Sequence, residues 1–388
     1  MRPTPEMQHV QPELVRKLVS WFAKNARDLP WRKTRDPYAI WVSEIMLQQT
    51  QVKTVLPYWE RWMQALPDIE ALGKAPLDRL YKLWEGLGYY HRVRNMQAAA
   101  RLLQAKYSGQ FPAHFEDLLE LPGVGRYTAG AISSIAFNRP EPVLDGNVIR
   151  VLTRLFGIDD DPQKPRTKAQ LWLLAAELAQ QAKKLELRNP RKRLTEGFGD
   201  FNGLAVGACS ALSQALMELG ATVCTPRQPA CLQCPVQKRC IGYRSRRVDQ
   251  LPAPGQRPRA TRRRFFAFVV RRRGRWLVRQ RPEGVVNTAL WEFPNTEVDL
   301  EEKNCRQAAR AALGFIPDAL KPLGRLKHTI TRYRITLDVF GTEISNGALI
   351  KTAAGRWFNS AQLSRLAFAS AHGKILRRFT SPGLASPD

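Results

Sequence analysis

The sequence predicts a multidomain chain, an all-α N-terminal domain followed by a smaller mixed α/β domain. Three observations predict it. From Pro12 to about Phe156 apolar residues recur at three- and four-residue spacing, as in Leu14, Leu18, Trp21 and Phe22 or in Ile40, Trp41 and Ile45, without strand alternation. After Cys240 the composition shifts to Arg, Pro, Gly and Gln, and Leu251-Pro-Ala-Pro-Gly-Gln-Arg-Pro258 reads as an extended linker. Beyond it, Phe265–Val270 and Trp276–Gln280 flank an Arg-rich turn as a hairpin, and Ile335, Leu337 and Val339 alternate.

The expected boundaries are 1–240 for the helical domain, 241–260 for the linker and 261–388 for the α/β domain. With 388 residues the chain exceeds the usual size of one core, which fits this division. In the first domain Pro30, Pro37, Pro57, Pro67, Pro76, Pro112 and Pro122 punctuate short helices. A longer helical pattern, Thr167–Leu185, leads through a basic surface loop, Arg188–Arg193, to a helix over Ala211–Leu219. In the second domain Arg306–Leu313 is helical.

Sixty-one Lys and Arg against thirty-four Asp and Glu give a formal charge of +27, more than solubility asks for. A polyanionic partner follows. Nucleic acid leads because binding releases condensed counterions, with an anionic membrane surface or a merely solvated basic face as alternatives. No apolar run is long enough to span a bilayer, and Met1–Pro12 has neither a signal core nor an Arg/Ser-rich amphipathic pattern. The expectation is a monomer in a reducing cytoplasm, associated with the nucleoid.

Four of six cysteines fall in one window, Cys224, Cys231, Cys234 and Cys240, spaced C-x6-C-x2-C-x5-C. In a reducing compartment such a cluster indicates metal rather than disulfides. Structural zinc usually takes two separated close pairs, whereas one close pair with longer flanks suits a [4Fe–4S] cubane, one thiolate per iron. Pro226, Pro229 and Pro235 make a packed core of unligated cysteines a poor alternative.

Leu121-Pro-Gly-Val-Gly125 lies between two helical patterns within 113–137 and reads as a helical hairpin. Gly123 and Gly125 permit close backbone approach, so amides at the next helix's N-terminus can hold a DNA phosphate without sequence preference. Asp145 in Val143-Leu-Asp-Gly-Asn147 precedes a helical run, where it would cap the helix and also face a cationic sugar. Glu44 shares the apolar helix face of Ile40 and Trp41; a buried carboxyl there stays protonated near neutral pH, as a general acid must. A surface or salt-bridged Glu is the plainer alternative.

Together, Leu29-Pro-Trp-Arg32, Trp41-Val-Ser-Glu-Ile-Met-Leu-Gln-Gln-Thr50, Leu83-Trp-Glu-Gly-Leu-Gly-Tyr-Tyr90, Leu121-Pro-Gly-Val-Gly-Arg-Tyr-Thr-Ala129, Leu144-Asp-Gly-Asn147 and the four cysteines resemble the endonuclease III superfamily of DNA glycosylases, specifically its MutY branch. The resemblance covers most of the chain. It implies a helix-hairpin-helix glycosylase domain with a [4Fe–4S] loop over 224–240 and double-stranded DNA as partner. The implied reaction removes adenine mispaired with 8-oxoguanine or guanine. Glu44 would protonate adenine N7, Asp145 would stabilise the oxocarbenium-like sugar and Asn147 would orient the site. Tyr127 stands where lyase members carry a Schiff-base lysine, so a monofunctional enzyme leaving an abasic site is implied. Trp31 and Arg32 would line the pocket of the extrahelical adenine. Gln48, Gln49 and Thr50 would enter the minor groove, and Tyr89 would wedge beside the damaged guanine.

The second domain resembles the Nudix-like domain of that branch, most clearly in Ala289-Leu-Trp-Glu-Phe-Pro294. Arg306–Leu313 lacks the carboxylates that a Nudix hydrolase uses to hold Mg²⁺, so recognition of 8-oxoguanine is implied instead of hydrolysis. Two departures stand out. His328-Thr-Ile-Thr-Arg332 replaces a Phe-Ser-His-type loop, leaving Thr331 for a hydroxyl contact and Arg332 in place of the imidazole. Gly203–Ser213 reads as an insertion that would disturb helix packing near the cluster. Rival readings are a thymine or uracil mismatch glycosylase and a non-catalytic iron–sulfur DNA-binding protein.

Overall fold

In the computed structural model, which describes residues 11–188, 200–201, 204–255, 259–330, 332–344 and 355–380, the chain parts into two units. The first comprises Met1–Lys74 and Asn95–Gln256, the second Ala75–Arg94 and Arg257–Asp388.

In chain order the described helices are α1 (Pro12–Asn25), α2 (Pro37–Leu47), α3 (Val52–Ala65), α4 (Ile69–Lys74), α5 (Leu77–Trp84), α6 (His91–Tyr107), α7 (Phe115–Leu119), α8 (Arg126–Ile135), α9 (Gly146–Phe156), α10 (Pro165–Arg188), α11 (Ala208–Thr222) and α12 (Ile241–Arg244). A two-residue ladder joins β1 (Asp200–Phe201) to β2 (Leu204–Ala205). One core of the first unit is made by apolar faces repeating at helical spacing: Leu18 and Phe22 of α1, Val148 and Leu152 of α9, Leu171 and Leu178 of α10, and Leu212, Leu216 and Leu219 of α11. Burying each such side chain contributes about 1.5–3 kcal/mol relative to exposure. In α2 the pattern is different, because every residue from Tyr38 to Met46 is buried. Asp36 caps it, accepting from the Tyr38 and Ala39 amides at 2.9 and 3.3 Å, and Pro37 supplies a preset first turn.

Several sequence expectations change. Pro57 lies inside α3 rather than at a boundary; it and Lys53 are both exposed, so the Lys53 carbonyl that loses its helical donor faces solvent. Residues 241–255 are part of the first unit and not a free linker. Their anchor is Arg154, buried in α9, whose Nε donates to Leu251 O at 2.9 Å, and Gly242 packs on the Arg154 backbone. Composition did not reveal this because the anchoring groups are main-chain carbonyls. Ala208–Ser213, half of the supposed insertion, forms the first turns of α11 and is fully buried, extending that helix instead of disturbing it. Residues 202–203 and the basic segment 189–193 lie outside the described residues, as does Thr331. Finally, Ala75–Arg94 groups with the second unit, which nothing in its helical periodicity could disclose.

The second unit is a mixed sheet between helices. β3 (Thr261–Arg272) and β4 (Arg275–Gln280) form the expected hairpin, turning at Arg273 and Gly274, both at positive φ. β5 (Trp291–Glu292), β6 (Asn295–Val298), β7 (Lys321–Ile330), β8 (Tyr333–Glu343) and β9 (Arg356–Phe358) complete the sheet. Along its backbone path the order is β5-β4-β3-β8-β7, with β6 also on β3 and β9 on β4. β3 runs parallel to β8 from Thr261↔Tyr333 to Arg271↔Glu343. Successive residues of β3 bury on opposite faces. Phe266, Phe268 and Val270 meet α13 (Cys305–Leu313), while Ala267 and Val269 share a cluster with Leu363 of α14 (Ser360–Arg365) and Ile375 of α15 (Ser370–Phe379). That is why Phe265–Val270 reads as an unbroken apolar run. Glu292, buried between these layers, is held by Arg279 at 3.0 Å and by Arg281.

Candidate active site

Within the first unit, the Pro30–Arg32 turn, α2 with the loop after it, α8, the start of α9 and α11 line one cavity of 830 Å³. Glu44 reaches it from α2. Because α2 has no solvent face, a carboxylate on it must end in the interior, and Glu44 is 6% exposed. The Tyr127 hydroxyl of α8 donates to its Oε2 at 2.5 Å and lies 3.2 Å from Met217 Sδ of α11. Burial pushes the Glu44 carboxyl up to about 7; the Asp145 charge adds to this, while the Tyr127 hydrogen bond and Arg32 oppose it. The Tyr127 phenol is driven well above its ordinary value by burial and then by Glu44 and Asp145, so it stays a donor.

Asp145 is the N-cap of α9. Its Oδ1 accepts from the Val148 amide at 2.7 Å and its Oδ2 from Asn147 Nδ2 at 3.0 Å. Burial raises its carboxyl, against the opposing effect of these donors and of Arg150. Asn147 is itself held: Arg150 donates to its Oδ1 at 2.8 Å, to Gly220 O at 2.7 Å and to Cys224 O at 2.7 Å. A run of hydrogen bonds therefore joins the Cys224 carbonyl to the capping carboxylate. The close crossing needs Gly220, since a Cβ there would lie 2.6 Å from Asn147 Cβ.

A third carboxylate, Glu218 of α11, forms the wall and was not among the residues anticipated. Fully buried, it accepts from Arg27 Nε at 2.8 Å, Arg27 N at 3.0 Å and Arg32 Nη2 at 2.8 Å. Burial alone would raise its carboxyl, but the two arginines outweigh it and hold it down at about 2. Its signal was present in Ala215-Leu-Met-Glu-Leu-Gly220, an acid inside an apolar helix, the same sign that marked Glu44. Replacing Glu218 with Ala strands Arg32 beside the pocket and is expected to destabilise the first unit by about 3–5 kcal/mol, read from the shift in a urea unfolding curve. The pair's contribution is present above pH about 4.5 and is lost as pH falls toward 2.

Trp31 and Arg32 line the same cavity, Trp31 packed edge-on to Trp59 at 5.9 Å. Gln48, Gln49 and Thr50 form the turn between α2 and α3 at its mouth; Gln49 has φ +58° and Gln48 Nε2 reaches Thr128 Oγ1 at 3.5 Å. Gly123 turns the hairpin at φ +77°, with Asn95 so near that a Cβ would sit 2.6 Å from its Cβ. Gly125 caps α8 and opens onto empty space. Tyr89 is placed in the second unit, 38% exposed.

Residues 42–177 match the HhH-GPD superfamily of base excision DNA repair proteins, and residues 266–378 match the NUDIX domain. Over 420 residues the chain is 35% identical to the adenine DNA glycosylase of Mus musculus, covering 93% of this chain and 77% of that one. The chain belongs to the adenine DNA glycosylases. The Homo sapiens relative is likewise 35% identical, over 93% of this chain and 72% of its own. That of Buchnera aphidicola (Schizaphis graminum) is 32% identical over 73% and 75%. This adenine DNA glycosylase thus acts in base excision repair, and it combines a helix-hairpin-helix unit with a Nudix-like α/β unit. In its Nudix-like unit α13 carries no carboxylate, and its exposed face presents Arg306 and Arg310.

Proposed function

We propose that the glycosylase excises adenine paired with 8-oxoguanine or guanine by acid-assisted hydrolysis, leaving an abasic site. The observation that carries this reading is a buried Glu44, poised near pH 7, in one cavity with a helix-capping Asp145. Oε2 of Glu44 is engaged by Tyr127, which leaves Oε1 to carry the proton to adenine N7. The bonding electrons of C1′–N9 then depart with the base, and the Asp145 carboxylate faces the cationic sugar until water adds at C1′ and loses a proton. Tyr127 cannot act as an amine nucleophile, so strand cleavage is left to later steps. The Gln48–Thr50 turn would enter the minor groove, the amides after Gly123 and Gly125 would take a phosphate, and Tyr89 with the second unit, Thr331 included, would recognise the base opposite. A monomer suffices for this scheme.

The four cysteines fit a [4Fe–4S] cluster. All four lie within the 17 residues from Cys224 to Cys240, Cys224, Cys234 and Cys240 pack on the same core, and Arg154 Nη1 stands 3.4 Å from Cys224 Sγ as a counter-cation. Among the described residues no three His, Cys, Asp or Glu are grouped to hold a metal ion, so the proposal rests on the cysteine number and spacing, which offer one thiolate for each of four irons. When bound, the cluster would cross-link the 224–240 segment. Metal analysis is expected to find about four irons per chain and no zinc; zinc in their place would defeat the assignment.

The deciding experiment is a duplex with adenine opposite 8-oxoguanine, incubated with the enzyme and then heated in alkali. Strand scission at the adenine only after alkali is the expected result. Scission without alkali would contradict the monofunctional reading.

A further inference from the structure

The loop Gly86–Tyr90 is held in an unusual conformation. Tyr89 has φ +48°, which bulky side chains rarely adopt, between glycines at φ +107° and +72° and the start of α6. Three groups fix it. Trp84 Nε1 donates to Gly88 O at 3.0 Å, Gly86 N donates to the Tyr90 hydroxyl at 3.3 Å, and buried Arg92 donates to Leu87 O and Gly88 O, both at 3.1 Å, with Tyr89's ring 5.6 Å from its guanidinium.

The loop is also tied to the Nudix-like fold of its own unit. Glu85 Oε1 accepts from the Phe368 amide at 3.0 Å. Its Oε2 accepts from Lys82 Nζ at 2.7 Å, and the same ammonium donates to Leu366 O at 3.0 Å. Segment 366–369 in turn pairs with Trp291: the Trp291 amide donates to Ala367 O at 2.9 Å and the Ala369 amide to Trp291 O at 3.0 Å. Phe368 stacks on Phe293 at 5.8 Å. A short path, charge-assisted at Glu85 and Lys82 and then main-chain to main-chain at Trp291, therefore links the residues that flank the Tyr89 loop to Trp291-Glu-Phe-Pro294.

We propose that the Glu85–Lys82 pair is a positioning device for opposite-base specificity, registering Tyr89 with the Nudix-like recognition face through the 366–368 segment. The inference rests on the proposed role of Tyr89 beside 8-oxoguanine. Losing a hydrogen bond to a charged group would let the strained loop relax away from the guanine partner, with little consequence for the chemistry on adenine.

The test compares the full chain with Glu85→Ala, Glu85→Gln, Lys82→Met, Tyr89→Ala and the double variant Glu85→Ala/Tyr89→Ala. Single-turnover excision is measured at subsaturating enzyme on duplexes with adenine opposite 8-oxoguanine and opposite guanine. Glu85→Ala is expected to shrink the preference for 8-oxoguanine about tenfold. Glu85→Gln restores most of it, because the amide oxygen still accepts from Phe368, and Lys82→Met gives a smaller loss in the same direction. In the Tyr89→Ala background Glu85→Ala adds nothing further. Equal slowing on both duplexes, or full additivity with Tyr89→Ala, overturns the proposal. Should Glu85→Ala fail to fold, Lys82→Met carries the test alone. A wild-type chain without preference removes the reading of Tyr89 itself; a preference that Glu85→Ala leaves intact removes only the tie.

Discussion

Glu44→Gln is expected to slow adenine release by about 10³-fold or more while leaving duplex binding within a few-fold of wild type. Glutamine keeps the shape and can still accept from Tyr127, so the pocket survives; what it lacks is a proton to give. Single-turnover release scored by alkaline scission, alongside a gel-shift titration, separates the two effects. Release within tenfold of wild type would defeat the acid assignment. The wild-type enzyme should also lose about tenfold in the rate of the chemical step for each pH unit above about 7, because Glu44 must be protonated to act. Stability runs the same way. The folded carboxyl holds a proton that the unfolded chain releases above its ordinary 4.5, so its contribution is whole below pH 4.5 and fades as pH rises through about 7. Glu44→Gln removes that liability, and the inactive variant should be the more stable of the two at pH 8.

Asp145→Asn is expected to reduce release by about 10²–10³-fold while costing about 1 kcal/mol of stability, the hydrogen bond from Asn147 Nδ2. Asparagine caps helices about as well as aspartate, so α9 keeps its first turn and the Val148 amide its acceptor. The change therefore keeps the cap and removes the negative charge together with the Oδ2 acceptor of Asn147 Nδ2. Wild-type release rates in Asp145→Asn would mean that the carboxylate is structural alone, and a loss of stability well beyond one hydrogen bond would mean that the cap depends on charge. Asn147 and Arg150 bear on the same atom, since they hold Asp145 Oδ2 in place.

The helical unit was legible because its signals are local. Asp36-Pro37 announces the start of α2, Gly123 and Gly125 announce a hairpin, and the periodicity of α1 and α9 gives their buried faces before any contact is known. Glu44 and Asp145 were equally visible, one as an acid on an apolar helix and the other as an acid before a helix. Glu218 escaped although it carries the same mark as Glu44, because its partners Arg27 and Arg32 lie 191 and 186 residues away. Pro57 was misread because a proline's tolerance inside a helix depends on what its lost carbonyl faces, and that is a tertiary matter.

By itself, the sequence determined the two-part composition, the helical character of one part, the cysteine spacing and the two acids that the proposed chemistry needs. Those features depend on residue type and on short-range periodicity. The tertiary structure alone decided which groups share one cavity, that 241–255 is anchored through Arg154, and that Ala75–Arg94 with its Tyr89 loop packs with the Nudix-like fold. The reason is physical: desolvation and hydrogen bonding to main-chain carbonyls depend on distances across the fold, and no local pattern of side chains encodes them.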